Sequence, residues 1–498
     1  MSANGAIPGL AEPLLREAPA KEVPAWRWSD SAVVSIVGVA GPLVAWLQAP
    51  DLIVAGLNSA ALLLLAIALA AVIELLAQMV GDVHGSLITA SLANIVELAL
   101  SLVALRQGML RFVQINLLGT VLTSCLLVPG LSFVLRGLSE SRDKLNKHAG
   151  AMVSMCLLLA SLAYSVTTAY NVTSQHKHHC QMYCDVQQVK GISHLVAIVL
   201  LLCYAVLLVW STVTHSHLIA KRRSKYKKTS RLATASLAAA PADAETGDAY
   251  NGGGGAITEE AVGWLSNLLK GDKAKAADAK AAADAEAASR TVSTLNGGSG
   301  GSTWLLTATI LGVLLLTLWV VVCANALLAS LDGATKLLGL SRHFAALVLV
   351  PNVGGMDAIV TAANLALKGH VDLALSFSVG IAIQILIGVL PVLVLVGWAI
   401  GQPLLMDLRA FEAVLLLLCV LVVNGVVRRA SATYLEGAMM IGAYLVVALT
   451  YFYRSHEEEY GFDGHVPVCI CGEACCLPGN ETWEVGRVSG SWVHHRLS

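Results

Sequence analysis

The sequence predicts an all-α, polytopic membrane protein, and three observations predict it. The 498 residues are 56% hydrophobic and 13% charged, which leaves too few polar side chains to cover a soluble globule. Apolar runs near the ~20 residues that carry a helix across a bilayer recur along the chain, about 11 of them. None alternates polar and apolar residues strictly, as lipid-facing barrel strands do, so the spans read as helices in a bundle bathed by lipid.

The runs lie at 32–49, 57–77, 85–105, 112–135, 149–170 and 194–215, and then at 303–328, 343–367, 372–398, 411–427 and 435–453. The segment before them holds Glu12, Glu17 and Glu22 and no apolar core before Trp26, so no cleavable signal peptide is expected and insertion begins at the first span. A net charge of −1 argues against a nucleic-acid partner and makes the placement of Lys and Arg the informative quantity. "KRRSKYKK" (221–228) follows the sixth span, "RDKLNK" (142–147) separates the fourth from the fifth, and Arg428 and Arg429 separate the tenth from the eleventh. All three fall on one side, read as the cytosol. The N-terminus is then cytosolic, and the 5–6 loop and the C-terminus are lumenal. The sequons at Asn171 ("NVT") and Asn480 ("NET") fall on the lumenal side. So do Cys180, Cys184, Cys469, Cys471, Cys475 and Cys476, where disulfides can form.

The expected organisation follows. Residues 1–30 form a cytosolic N-terminal segment and 31–218 a leading helix plus a first membrane repeat. Residues 219–302 form a flexible cytosolic linker, 303–454 a second repeat, and 455–498 a lumenal, Cys-containing tail. The linker reading rests on "NGGGG", the amphipathic "ITEEAVGWLSNLLK", an Ala-rich charged stretch and "NGGSGGS". Its basic end suits anionic lipid headgroups. The repeat reading rests on Gly108 with Gly369 and Gly119 with Gly380, both pairs 261 residues apart. Each block has an odd number of spans, so the copies enter the bilayer from opposite sides. Such an inverted repeat places a site near the midplane between the copies.

Carboxylates inside spans are costly and by default functional. Away from span ends they are Glu74, Glu97 and Asp357. Asn94, Glu97 and Ser101 share one helix face, and Asp357, Thr361 and Asn364 share another. Thr120, Thr123 and Ser124, with Ser376, Ser378 and Gln384, can add oxygens, although Ser and Thr also serve as plain helix glue. Hard cations want several oxygen ligands, and a carboxylate in low dielectric takes a proton readily. One site, with Glu97 and Asp357 as its metal-binding carboxylates, can thus hold either a cation or protons. On the lumenal side His176, His178, His179, Cys180 and Cys184 have spacing suited to Zn²⁺ or Cu²⁺, but a disulfide loop is the favoured reading there. The tail "CICGEACC" also reads better as disulfides than as a metal knuckle. Enzyme readings find no support: one intramembrane aspartate is too few for an aspartyl protease, and no G-x-x-x-x-G-K-[ST] or H-E-x-x-H occurs.

"LANIVELALSLVALRQG" resembles the first signature helix of the cation/proton exchanger family, the vacuolar Ca²⁺/H⁺ exchanger type of the calcium/cation antiporter superfamily. "LALSFSVGIAIQILIGVLPVLVLVGWAIGQPL" and "FEAVLLLLCVLVVNGVV" with "YLEGAMMIGAYLVVALTYFY" are similar to its last three helices. The resemblance implies a leading helix and two inverted five-helix halves of sodium/calcium-exchanger type. It implies antiport of Ca²⁺ or another cation against H⁺ across an endomembrane, with the vacuolar membrane as the family's usual address. No resident cofactor is implied, since cation and proton are cargo. Partners are inorganic cations, protons and membrane lipid, and the resemblance admits homo- or hetero-oligomers with other exchangers. The second signature departs from the family. Gly355 stands where its Asn is expected, Ala358 where its Glu is, and Ile359 where its His is, with Asp357 one position early. One residue is a rotation of about 100° on a helix, so Asp357 can replace the glutamate only if the helix turns or unwinds at Gly354 and Gly355. Asn325 stands in place of another Glu, and Ile381 and Ala382 in place of two serines. The alternative implied by these losses is a non-transporting regulatory paralogue that keeps the fold.

Overall fold

Three prolines shape the central helices. Pro129, Pro351 and Pro391 lack the N–H that bonds the carbonyl four residues back, and their rings crowd that carbonyl. In the computed structural model of the chain, each follows a π-helical turn centred on the residue whose carbonyl is orphaned. The turns are Thr123–Leu127 around Cys125, Ala345–Leu349 around Leu347 and Ile385–Val389 around Ile387. The wider turn relieves the clash without ending the helix.

The structure describes residues 38–80, 82–137, 143–144, 147–175, 182–210, 301–367, 369–429, 431–453, 483–488 and 491–496. The chain divides into two compact units. Val34–Thr246 with Leu311–Ser498 holds the bundle described below. Of Met1–Val33 with Gly247–Ile310, only 301–310 are described, as the first turns of one helix. The expected linker lies outside the described residues except for 301–302.

A helix at 38–46 (α1) precedes α2 (Asp51–Val80), α3 (Asp82–Leu92), α4 (Ile95–Arg106) and α5 (Leu110–Leu122). Through the first π turn α5 continues into α6 (Val128–Gly137), followed by α7 (Lys147–Gln175) and α8 (Met182–Val209). The later part runs α9 (Gly301–Leu338), α10 (Arg342–Phe344), the second π turn, α11 (Val350–Gly354) and α12 (Met356–Leu367). Then come α13 (Val371–Gln384), the third π turn, α14 (Leu390–Ala399), α15 (Ala410–Arg429) and α16 (Tyr434–Phe452). Two antiparallel ladders are the exceptions to the helical class: β1 (Asp143–Lys144) with β2 (Ser431–Ala432), and β3 (Trp483–Val488) with β4 (Ser491–Arg496).

The repeat read from glycine spacing has a conformational counterpart. Gly108 and Gly369, in the turns after α4 and α12, have φ of 79° and 83°. Glycine alone enters that region without strain. The starts of α4 and α12 are 261 residues apart, as are those of α5 and α13. Packing between the halves is reciprocal under the same correspondence. α6 meets α16 as α14 meets α8, α6 meets α12 as α14 meets α4, and α13 meets α7 as α5 meets α15. Helices α7 and α15, which are mates, pack on each other. Reciprocal contacts of this kind are what a two-fold relation produces. Of the most apolar stretch of α5–α6, 83% is buried, against 17% for α8, so α5–α6 is central and α8 peripheral. Exposed Leu195, Leu202 and Val206 on α8, and Met439, Val446 and Leu449 on α16, give the bundle an apolar outer face suited to lipid.

The span count differs from the 11 expected. Among the described residues eight helices are long and apolar enough to cross a membrane, or nine when the bent pair Arg342–Gly354 and Met356–Leu367 counts as one. The run at 85–105 is broken at Ala93 and Asn94 into α3 and α4, of 11 and 12 residues, each too short to span alone. The run at 32–49 is described only from residue 38. Hydropathy overlooks such breaks because the residues on either side stay apolar.

The β1–β2 ladder joins two loops assigned to one side, and a hydrogen bond from Asn171 to Asp407 (2.5 Å) joins two segments assigned to the other. The same bond holds the sequon asparagine. Helix α7 runs on past residue 170 to Gln175, so Asn171 is helical and half-buried, and its Nδ2, the atom a glycan needs, is engaged by a carboxylate. Asn480 lies outside the described residues.

Candidate cation site

Each half carries one helix interrupted near its middle. The first interruption is at Ala93 and Asn94, the latter with non-helical φ −113° and ψ 33°. The second is at Gly355, with φ −96° and ψ 13°, and the chain bends there by 57°. Gly355 is where the sequence required an unwinding if Asp357 was to be brought round.

Side chains at the two breaks reach towards the opposite half. Buried Asn94 donates from Nδ2 to Oε1 of Gln384, the last residue of α13 before its π turn, at 2.7 Å. Glu97 lies in the first turn of α4 and Asp357 in the first turn of α12, both partly buried, and the two carboxyls are within electrostatic reach of each other. Ser101, one turn beyond Glu97, is fully buried, and its hydroxyl has no hydrogen-bond partner among the described residues. An orphaned hydroxyl costs about 1–3 kcal/mol, and such groups mark places where water or an ion binds. Buried Asn116 of α5 leaves its Oδ1 in the same condition.

The other candidates divide. Thr123 joins a second inter-half cluster. Its hydroxyl donates towards Oδ1 of Asn352 and the hydroxyl of Tyr444, both at 3.3 Å, while Asn352 Nδ2 donates to Tyr444 (2.7 Å) and to the Val348 carbonyl (2.7 Å). Glu74 is half-buried on α2, the helix that packs against α3, α11 and α12. Thr120, Ser376 and Ser378 bond carbonyls of their own helices, those of Asn116, Asp372 and Leu375, and Ser124 is buried. Thr361 and Asn364 are exposed, and the structure does not bring them to the cluster. They share the face of Asp357, but at 1.5 Å per residue Asn364 lies about 10 Å further along the axis, past the reach of Glu97. The opposite face of α12 is an alanine stripe, Ala358, Ala362 and Ala366, packed into the bundle. Residue 358, where a glutamate was expected, is thus core. Asn325 on α9 accepts from Gln107 Nε2 at 2.9 Å, at the exposed end of α4.

Asn352, Tyr444 and Asn116 were not among the residues singled out from the sequence. In the sequence no carboxylate lies within one helical turn of any of them. The signal was present nonetheless: Asn352 directly follows a helix-distorting proline and lies three residues before Gly355. Of the His and Cys cluster expected on the lumenal side, His176, His178, His179 and Cys180 lie outside the described residues, as do the tail cysteines. Cys184 is in the first turn of α8.

The chain is similar to a Ca(2+)/H(+) antiporter of Aphanothece halophytica, 27% identical over 84% of this chain and 94% of that protein. It is similar to a vacuolar calcium ion transporter of Schizosaccharomyces pombe, 27% identical over 80% of this chain and 78% of that one. Its fold is that of native YfkE, with a TM-score of 0.56 and 20% identity over 84% of this chain and 99% of that one. The model of the sodium/calcium exchanger protein family matches residues 52–213 and 308–453, more than half of the chain, with the two matched stretches covering the two packed halves, so this multi-pass membrane protein belongs to that transporter family.

Proposed function

We propose that the protein is a cation/proton antiporter that moves Ca²⁺ or another cation across an endomembrane, the vacuolar membrane by similarity to the fission-yeast relative, in exchange for H⁺. The observation that carries this reading is the placement of Glu97 and Asp357, each in the first turn after a helix break, each from a different half, and within electrostatic reach. Two carboxylates within electrostatic reach in a low-dielectric bundle repel, and either a cation or protons relieve the repulsion. Exclusive occupancy by one or the other couples the two fluxes. Asn94 and Gln384 supply neutral oxygens beside the pair, Ser101 a further hydroxyl, Thr123 another from the facing cluster, and Glu74 supports them from α2. The carbonyl ends of α3 and α11 are the kind of backbone that holds cations in interrupted transporter helices.

In this reading the halves are inverted, the N-terminus and the 219–302 linker face the cytosol, and the C-terminus faces the lumen. Purified protein in sealed vesicles should release protons when a cation gradient is imposed, with Ca²⁺, Mn²⁺, Na⁺ and K⁺ tested in turn. No proton movement with any of them overturns antiport. Buried Ala358, in place of the expected carboxylate, favours a second reading, a regulatory member that binds a cation without transporting it.

A further inference from the structure

The 261-residue correspondence that superposes Gly108 on Gly369 also maps Asn94 onto Gly355 and Gln384 onto Thr123. The inter-half bond Asn94–Gln384 therefore has a symmetry mate, residue 355 with Thr123. Glycine has no side chain to make it. The contact exists all the same: the Thr123 hydroxyl meets Oδ1 of Asn352, which lies three residues before Gly355 and so on nearly the same helix face. We propose that Asn352 is the second half's counterpart of Asn94, a carboxamide moved back by one turn, and that Tyr444 is the positioning residue that aims its oxygen at the cation path.

The orientation of the amide follows from its donors. An Asn side chain has two N–H groups and one carbonyl oxygen. Both donors of Asn352 are engaged, one by the Val348 carbonyl and one by the Tyr444 hydroxyl, each at 2.7 Å. The oxygen is thereby turned towards Thr123, at the start of the π turn that packs against α13 and α16. Val348 lies within the π turn ahead of Pro351, so the proline that widens this helix also stands beside the acceptor that anchors Asn352. The two halves then present one amide each, Asn94 from α4's start and Asn352 from α11, to polar groups at the starts of the opposite half's π turn. Because one amide sits before its break and the other within it, the two half-sites are not equivalent. The second half offers a neutral amide and a displaced aspartate, a set that favours weaker divalent binding and a broader range of cations.

This inference rests on the antiport reading for its transport readout, so the test includes binding measured apart from flux. Asn352→Leu, Tyr444→Phe and the double variant Asn352→Leu/Gly355→Asn are compared with wild type in vesicle transport and in Ca²⁺ titration of the purified protein. A Cβ at residue 355 meets only the Pro351 carbonyl, at 3.1 Å, which a small shift relieves. Asn352→Leu should raise the Ca²⁺ concentration for half-saturation about tenfold with a smaller change in maximal rate, Tyr444→Phe should move it the same way by less, and Gly355→Asn should restore it. Unchanged half-saturation in Asn352→Leu, or loss that Gly355→Asn does not repair in a protein with wild-type melting behaviour, overturns the proposal. A wild type that binds Ca²⁺ but moves no protons overturns antiport alone, and the same three variants then decide the role of Asn352 by binding.

Discussion

Asn94 donates a hydrogen bond to Gln384 across 290 residues of chain, and the bond ties the break in one half to the π turn of the other. Asn94 is buried, so removing either partner strands an amide in the bundle. Asn94→Leu and Gln384→Leu should each destabilise the detergent-solubilised protein by about 1–3 kcal/mol. The double variant should lose less than the sum, because its second substitution removes a group already stranded. Strict additivity in thermal unfolding would mean that the bond contributes nothing to joining the halves.

Glu97→Gln should abolish cation-driven proton release, since it removes the carboxylate within electrostatic reach of Asp357 while leaving the shape of the side chain. Asp357→Ala should lower flux at least tenfold if the displaced aspartate has taken up the work of a second carboxylate. Undiminished flux in Glu97→Gln sinks the site. Full flux in Asp357→Ala, with Glu97→Gln inactive, would leave Glu97 as the lone ionisable ligand.

Much of this architecture was legible in the sequence because it follows from local chemistry. Gly108 and Gly369 announce turns that need positive φ, and the glycine pair at 354–355 announces the break that precedes Asp357. Other features required three dimensions. Arg111 and Glu412 look like ordinary charges at span ends, yet they form a buried ion pair, with Tyr451 donating to the same carboxylate and the Arg409 backbone N–H to its other oxygen. Asn364 shares a helix face with Asp357 in sequence but lies about 10 Å further along the axis. Asn352 was passed over because its partners, Thr123 and Tyr444, are distant in the chain. The three π turns were readable in principle from Pro129, Pro351 and Pro391, whose orphaned carbonyls lie in apolar runs that hydropathy treats as uniform.

The Arg111–Glu412 pair makes a sharp prediction about stability. Glu412 is fully buried, so Arg111→Met leaves an uncompensated carboxylate and should cost about 3–5 kcal/mol. Replacing both partners, Arg111→Met with Glu412→Leu, should recover much of that loss, because the desolvation of two ions is removed together. Thermal melts of the two variants check this. A double variant less stable than Arg111→Met would show that Tyr451 and the Arg409 amide depend on the carboxylate more than on the pair.

Gly119 and Gly380 match in sequence but differ in surroundings. A Cβ on Gly119 would lie 2.1 Å from the Leu347 carbonyl oxygen and 2.7 Å from the Pro351 ring, whereas one on Gly380 meets nothing within 4 Å. Gly119→Ala should therefore force α5 from the second π turn and destabilise by about 1–3 kcal/mol, while Gly380→Ala should be neutral or slightly stabilising in a helix interior. Equal melting temperatures for the two variants would contradict the close approach.

Asp407 gives the chain a pH-dependent element outside the spans. Burial is the largest influence on its carboxyl and pushes the pKa above the ordinary 3.8; the Asn171 hydrogen bond and, more weakly, Arg111 pull it down, and Glu412 pushes it up. The folded state thus holds the Asp407 proton more tightly than the unfolded chain does. Its contribution to stability is fully present below the unfolded pKa and is lost as pH rises through the folded one. Asn171→Leu removes a bond to the ionised form, so it should extend the window of falling stability to higher pH. Asp407→Asn should flatten it, since Asn171 can still donate to an amide oxygen. Melting curves taken upward from pH 4 distinguish these outcomes. A wild type whose stability rises steadily over that range, with Asp407→Asn unchanged from it, would show that Asp407 is ionised without penalty and that the Asn171 bond outweighs its burial.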